Sequence, residues 1–206
     1  MSILAQKGGA GKTTLALHWA VEAQAHGETV AVIDTDSQGS AAAWGERRES
    51  DTPLVLKADS DQLHNAVEAC RANNVTYIFV DTMPRVERSS LEAAKLADLV
   101  IIPCGPSIVD IEAIGATVSI VERTSTPAVI VLNQGRPGSG INDKAVSVLS
   151  QYGLAVCPVQ IMRRAALADA FTDGRAVREL EPNGKAAAEI TASWKWISRF
   201  KKKGVR

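Results

Sequence analysis

Lys7-Gly8-Gly9-Ala10-Gly11-Lys12-Thr13-Thr14 is the stretch that decides how this chain folds. Glycines at 8, 9 and 11 let the backbone bend until successive N–H groups point inward, and a helix opening at the same place adds the positive end of its dipole. A phosphate group needs both. Lys12 is placed to reach β- and γ-phosphate oxygens, and the Thr13 hydroxyl to bind Mg²⁺. The competing reading, a glycine-rich turn with a surface lysine, is set aside by order: an apolar run, Ser2 to Ala5, precedes the loop and a helical pattern, Thr13 to His26, follows it.

Outward from the loop the same alternation repeats. Apolar runs at Thr29 to Ile33, Tyr77 to Val80, Leu99 to Ile102 and Ala128 to Leu132 suit strands buried on both faces. Between them Asp61 to Asn73, Arg88 to Ala97, Ile108 to Arg123 and Asn142 to Gln151 carry apolar residues at helical spacing. The expected fold is α/β, a doubly wound and mostly parallel sheet with helices on both faces, its ligand site at the carboxyl ends of the strands. A single domain over residues 1–206 is expected, with a basic helix and tail from about 185 to 206.

Polar residues fall at those strand ends. Asp34 and Asp36, one residue apart in extended chain, share a face and can both address a Mg²⁺-phosphate region. An Asp pair at a strand end is also a common turn or helix cap. Asp81 follows four apolar residues, Tyr77-Ile-Phe-Val80, which is the form of an acid that holds Mg²⁺ through water. Asn133 closes the Ala128 run and can read a nucleobase edge with its amide, or cap a turn. The guanine-reading Asn-Lys-x-Asp pattern is missing, since Gln134, Gly135 and Arg136 follow, so ATP is expected over GTP.

Composition narrows the function. Lys and Arg number 23, as do Asp and Glu, so bulk charge does not attract polyanions. The balance hides an asymmetry: Arg163 to Arg206 holds 11 basic and 5 acidic residues, and the remainder is acidic by six. Aromatic residues make up 4%, thin for stacking on several bases. Cys70, Cys104 and Cys157 are odd in number and far apart, which speaks against disulfides or a zinc pair and for a reduced, cytoplasmic setting. No apolar run nears about 18 residues, the length that crosses a membrane.

The ordinary phosphate-loop pattern requires Gly where this chain has Gln6, and Lys7 opens the loop instead. Lys7 to Thr13 thereby resembles the KGGxGKT motif of the deviant Walker A family typified by ParA and MinD, and the later segments extend the resemblance over nearly the whole chain. It implies that Gly8, Gly9, Ala10, Gly11, Lys12, Thr13 and Thr14 cradle ATP. Lys7 would reach the nucleotide of a partner subunit, as an arginine finger does. Asp34 would lie near the water shell of Mg²⁺, Asp36 would orient the attacking water, and Asn133 would contact adenine. Three positions depart from the family pattern: Ser37, Met83 and Met162 stand where proline is usual.

The segment Val159 to Gly174 resembles a ParA stretch in which the arginine matching Arg163 belongs to a surface for nonspecific DNA, with Lys185 near a second basic position. Lys201, Lys202 and Lys203 would extend that surface, although a merely solvated basic face gives the same composition. The last helix, about Lys185 to Phe200, should pack Ile190, Trp194 and Ile197 on the sheet. By this resemblance the chain is a small partitioning ATPase of the ParA kind. It would form a homodimer on ATP, associate with nucleoid DNA, answer to a centromere-binding adaptor protein, and distribute plasmid, chromosome or other cargo. With strand one at Ser2, no preceding helix-turn-helix domain is expected. A MinD-like membrane ATPase, anchored by Trp194, Trp196, Phe200 and the lysines, and a metabolic ATP-dependent ligase are the alternatives.

Overall fold

The computed structural model describes residues 1–84 and 86–200. Seven strands form one sheet: β1 (Ser2–Ile3), β2 (Val30–Asp34), β3 (Leu54–Lys57), β4 (Tyr77–Asp81), β5 (Val100–Cys104), β6 (Ala128–Leu132) and β7 (Ala155–Val156). Their order is β3-β2-β4-β1-β5-β6-β7, and every described pairing is parallel. The sequence foresees a mostly parallel sheet; the structure makes it wholly so among the described strands. Because β1 lies between β4 and β5, successive crossovers run to opposite sides of it, and the chain after β1 emerges at the switch point where such sheets bind ligands.

Alternation along the strands divides the interior in two. Ile3, Val32, Phe79, Ile101 and Val129 face one layer, which holds α1 (Lys12–Ala25), α2 (Ser40–Arg47), α7 (Ala165–Asp169), α8 (Val177–Leu180) and α9 (Lys185–Ile197). Leu4, Ile33, Val80, Ile102 and Ile130 face the other, made of α3 (Leu63–Ala72), α4 (Glu87–Leu96), α5 (Ile108–Thr124) and α6 (Ile141–Leu149). Strands buried on both faces read as continuous apolar runs for this reason. Ile190, Trp194 and Ile197 pack into the first layer as expected, with Trp194 edge-on to Tyr77 at 4.8 Å between ring centroids.

Helix α1 is the hub of that layer. Its Trp19 is fully buried and donates its indole N–H to Ser193 Oγ of α9 at 3.0 Å. One residue earlier, His18 stacks on Phe171 and uses both ring nitrogens: Nδ1 accepts the Val177 N–H at 3.1 Å, which leaves Nε2 to donate to the Leu167 carbonyl at 3.1 Å. The helix that opens at the glycine loop thus carries residues 167–193 on its back.

Candidate functional site

The loop between β1 and α1 is shaped by Gly9 (φ 75°) and Gly11 (φ 87°), both in the left-handed region where only glycine is unstrained. Gly11 is also sterically required, since a Cβ there would lie 2.2 Å from Asn133 Nδ2. It is the N-cap of α1 and has no side chain to cap with. The first intrahelical bond runs from Leu15 N–H to Gly11 O, so the N–H groups of Lys12, Thr13 and Thr14 keep no helical acceptor and suit an anion. Lys12 is buried beneath them, with Nζ 3.4 Å from the Ala5 carbonyl, a long contact for an ammonium. Burial pulls its pKa down, opposed by Asp81 and Asp36 nearby.

The carboxylates divide into two kinds. Asp34 and Asp81 are register partners on neighbouring strands, and both are buried. Asp34 is saturated by backbone: Oδ1 accepts the Asp36 N–H at 3.0 Å, and Oδ2 accepts those of Ala41 at 2.9 Å and Ala42 at 3.0 Å. It therefore holds the first turn of α2 and the Asp36 loop, a role the sequence reading did not give it beside the expected one near the cation's water shell. Asp36 is half-buried and accepts the Gln38 N–H at 3.0 Å, in a turn that presents it at the mouth of the loop.

Asp81 is left unfinished. Oδ2 accepts the Thr13 hydroxyl at 2.6 Å, whereas Oδ1 is buried with no hydrogen-bond partner among the described residues. Burial, then the nearby Asp34 and Asp36, push its pKa up to about 7 against the pull of Thr13 and Lys12. An unpaired buried carboxylate oxygen costs a fold free energy unless something completes it. A hydrated divalent cation between Thr13 Oγ1 and Asp81 fits this donor set, hard oxygens with the remaining positions left to water and phosphate.

Lys7 leaves the loop sideways. Its ammonium is ion-paired with Asp110 in the first turn of α5 rather than lying in the cradle of its own chain. Asp110 is fixed by a capping box with Ser107, whose hydroxyl donates to Oδ2 at 2.5 Å. Burial would raise the Asp110 pKa, but the Lys7 and Ser107 hydrogen bonds hold the carboxyl below its usual range. Asp110 was missed in the sequence. Ser107-x-x-Asp110 is legible there as a helix start, but its partner lies 103 positions away.

Asn133 and Gln134 reach the loop from the far side, through Asn133 Nδ2 to Ala10 O at 2.8 Å and Gln134 Nε2 to Gly9 O at 2.6 Å. Asn133 is thus brought to the nucleotide loop, and its neighbour, which the sequence reading noted only as a departure from the guanine pattern, touches the loop as well.

Arg163 and Lys185 line one surface groove of about 440 Å³, together with Arg164, Ala165, Ala166 and Glu181. Glu189 of α9 orders that segment, accepting the Met162 N–H at 3.0 Å and pairing with Arg164 at 2.5 Å. Lys201, Lys202 and Lys203 lie outside the described residues. Of the proposed membrane set, Trp194 is in the core, and Trp196 and Phe200 pair with each other at the helix end. No described helix is long and apolar enough to cross a membrane.

A family profile described as the CobQ/CobB/MinD/ParA nucleotide binding domain matches residues 1–177. Maintenance of carboxysome distribution protein A of Halothiobacillus neapolitanus is 27% identical over 193 residues, covering 89% of this chain and 88% of that protein. Chromosome partitioning protein ParA of Caulobacter vibrioides is 25% identical over 86% of this chain and 85% of its own. Among solved structures, the septum site-determining protein MinD of Pyrococcus horikoshii, complexed with Mg-ADP, superposes over 98% of each chain with a TM-score of 0.80 at 15% identity.

Proposed function

This chain belongs to the CobQ/CobB/MinD/ParA nucleotide-binding family, and from that premise we propose that it is a positioning ATPase whose ATP-bound dimer holds to DNA and distributes a cargo. Mg²⁺ and ATP are its cofactors, and the reaction is hydrolysis to ADP and phosphate. The inward N–H groups of the loop and Lys12 bind and orient the phosphates; Thr13 and Asp81 would hold the metal, which when bound would supply charge neutralisation at the transferred phosphoryl group. Asp36 orients the attacking water, and Asp34 keeps the Asp36 loop in place through three backbone N–H groups.

The observation that carries the dimer is Lys7. Paired with Asp110 in its own chain, it contributes nothing to its own cradle; directed into a partner's cradle, it would neutralise the developing charge there, so that hydrolysis waits on association. The groove of Arg163 and Lys185 supports a phosphate-contacting surface without base reading. An adaptor protein that stimulates hydrolysis would then release the dimer, and the cargo spans what the relatives' names describe, a carboxysome or a chromosome.

Co-sedimentation of the protein with random-sequence DNA and, in parallel, with anionic vesicles, each with ATP or ADP, tests the reading. ATP-dependent retention on DNA that falls steeply with salt is expected, and Arg163→Ala should lower the salt slope by about one. Retention on vesicles alone would favour the membrane reading. ATP turnover that requires an organic co-substrate would favour a ligase.

A further inference from the structure

The carbonyl oxygens of Gly9 and Ala10 are each held from outside the loop by a side-chain amide, and the two amides are consecutive residues, Gln134 and Asn133. In a planar trans peptide the C=O and the N–H of the next residue point in opposite directions. A donor that holds the Gly9 carbonyl therefore fixes the direction of the Ala10 N–H, and one that holds the Ala10 carbonyl fixes that of Gly11. Both N–H groups are then aimed away from Gln134 and Asn133. Because a carbonyl oxygen only accepts, the amide nitrogen must be the atom that faces it.

We propose that Gln134 is a positioning residue for phosphate binding: through Nε2 on the Gly9 carbonyl it holds the loop with its N–H groups turned inward before nucleotide arrives. The inference rests on reading the loop as a phosphate cradle and adds a residue to it.

Gln134 stands on a rigid platform. Its backbone takes φ 57°, a left-handed conformation unusual for a residue with a side chain, two residues after the end of β6. The chain on either side is tied down. Asn133 N–H bonds Cys104 O at 2.8 Å, Gly135 N–H bonds Ile161 O at 2.9 Å, and Arg163 N–H returns to Gly135 O at 2.8 Å. Asn142 holds Arg136 through both N–H and C=O, at 2.9 and 2.8 Å. Gly135 packs so closely on Met162 that a Cβ would come within 2.8 Å of its sulfur. Gln134 itself is exposed, so the fold does not need its side chain for packing. Persistence of a left-handed glutamine at an exposed turn, where Gly or Asn would sit without strain, is accounted for by the length that brings Nε2 to Gly9.

The test uses two variants of the full chain. Gln134→Glu keeps the shape and replaces the donor with an acceptor that repels the Gly9 carbonyl. Gln134→Gly relieves the left-handed backbone and removes the amide. Isothermal titration with Mg-ATP and with inorganic tripolyphosphate, which has no base, is paired with the melting temperature of the nucleotide-free protein.

Both variants should weaken ATP and tripolyphosphate alike, by about five- to tenfold for one lost hydrogen bond. The melting temperature of Gln134→Gly should be equal to or above that of the wild type. Unchanged tripolyphosphate affinity would overturn the proposal, and a loss confined to ATP would make Gln134 a base contact instead. A wild-type protein that binds neither ligand would refute the phosphate cradle itself, a separate failure. Faster exchange of the Ala10 amide in Gln134→Glu, without nucleotide, is the expected sign that the loop has loosened; wild-type exchange there would count against the proposal.

Discussion

The start and the middle of helix α1 handle buried polar groups in opposite ways. At its start, Lys12 has one long contact to a carbonyl, the first-turn N–H groups have no helical acceptor, and Asp81 beside Thr13 keeps a buried oxygen with no partner among the described residues. One to two turns on, His18 employs both ring nitrogens and Trp19 its indole N–H, each on a partner from the C-terminal part of the chain. The first arrangement is costly until a ligand completes it, and the second is complete within the fold. Unfinished polar groups in a buried setting mark where the protein binds; finished ones mark where it holds itself together.

Mutations separate the two regions. Lys12→Ala should weaken Mg-ATP by about a hundredfold or more, since a charge-assisted contact to phosphate contributes about 3 kcal/mol, while the nucleotide-free protein melts no lower because a poorly paired buried ammonium has been removed. Calorimetric titration and a thermal melt on the same sample check both. A lower melting temperature without nucleotide would mean that Lys12 is structural and the contrast false.

In the middle of the helix the expected signature is a pH dependence of folding. Burial lowers the His18 pKa to about 4, against the opposing Leu167 carbonyl and Glu179, from 6.5 in the unfolded chain. Between these values the unfolded state binds the extra proton, so this stability is present above about 6.5 and is lost as pH falls toward 4. The slope is about 1.4 kcal/mol per pH unit. Asp81, whose carboxyl is pushed up to about 7, contributes the opposite slope, so the difference between wild type and His18→Gln in urea unfolding from pH 7 to 4 should show it, with nucleotide affinity at pH 7 intact in the variant. A parallel loss of affinity would tie the His18 contacts to the loop.

Lys7 lies between the two cases, paired within the chain yet partly exposed. A half-exposed ion pair is worth at most about 1 kcal/mol, so Asp110→Ala should lower the ATP concentration at half-dimerisation by about fivefold or less. Light scattering against ATP measures it, and a shift to higher concentration would mean that Asp110 supports the dimer instead of restraining Lys7.

The two regions were unequally legible in the sequence. The loop was readable because local residues make it: glycines, Lys12 and Thr13 in one run after a strand. So were the buried strands, whose apolar runs follow from burial on both faces. β3 was not foreseen because Leu54–Lys57 is an edge strand with outer positions exposed. β7 spans only two residues. α2 opens with Ser-Ala-Ala-Ala and shows no clear stripe, and α7 and α8 are too short for one. What stayed hidden in the site is chiefly long-range: Asp110 on Lys7 and Gln134 on Gly9. Spacing reports neighbours along the chain, and these are neighbours only across the sheet.

Mixing two inactive variants tests the central claim most directly. Lys7→Ala keeps Asp36 and its own cradle, whereas Asp36→Ala keeps Lys7. If Lys7 acts across the dimer, each mixed dimer has one complete site, and an equal mixture should recover about a quarter of the wild-type steady-state hydrolysis while either variant alone stays near background. No recovery, with mixed dimers shown to form, would contradict hydrolysis completed by a partner's Lys7.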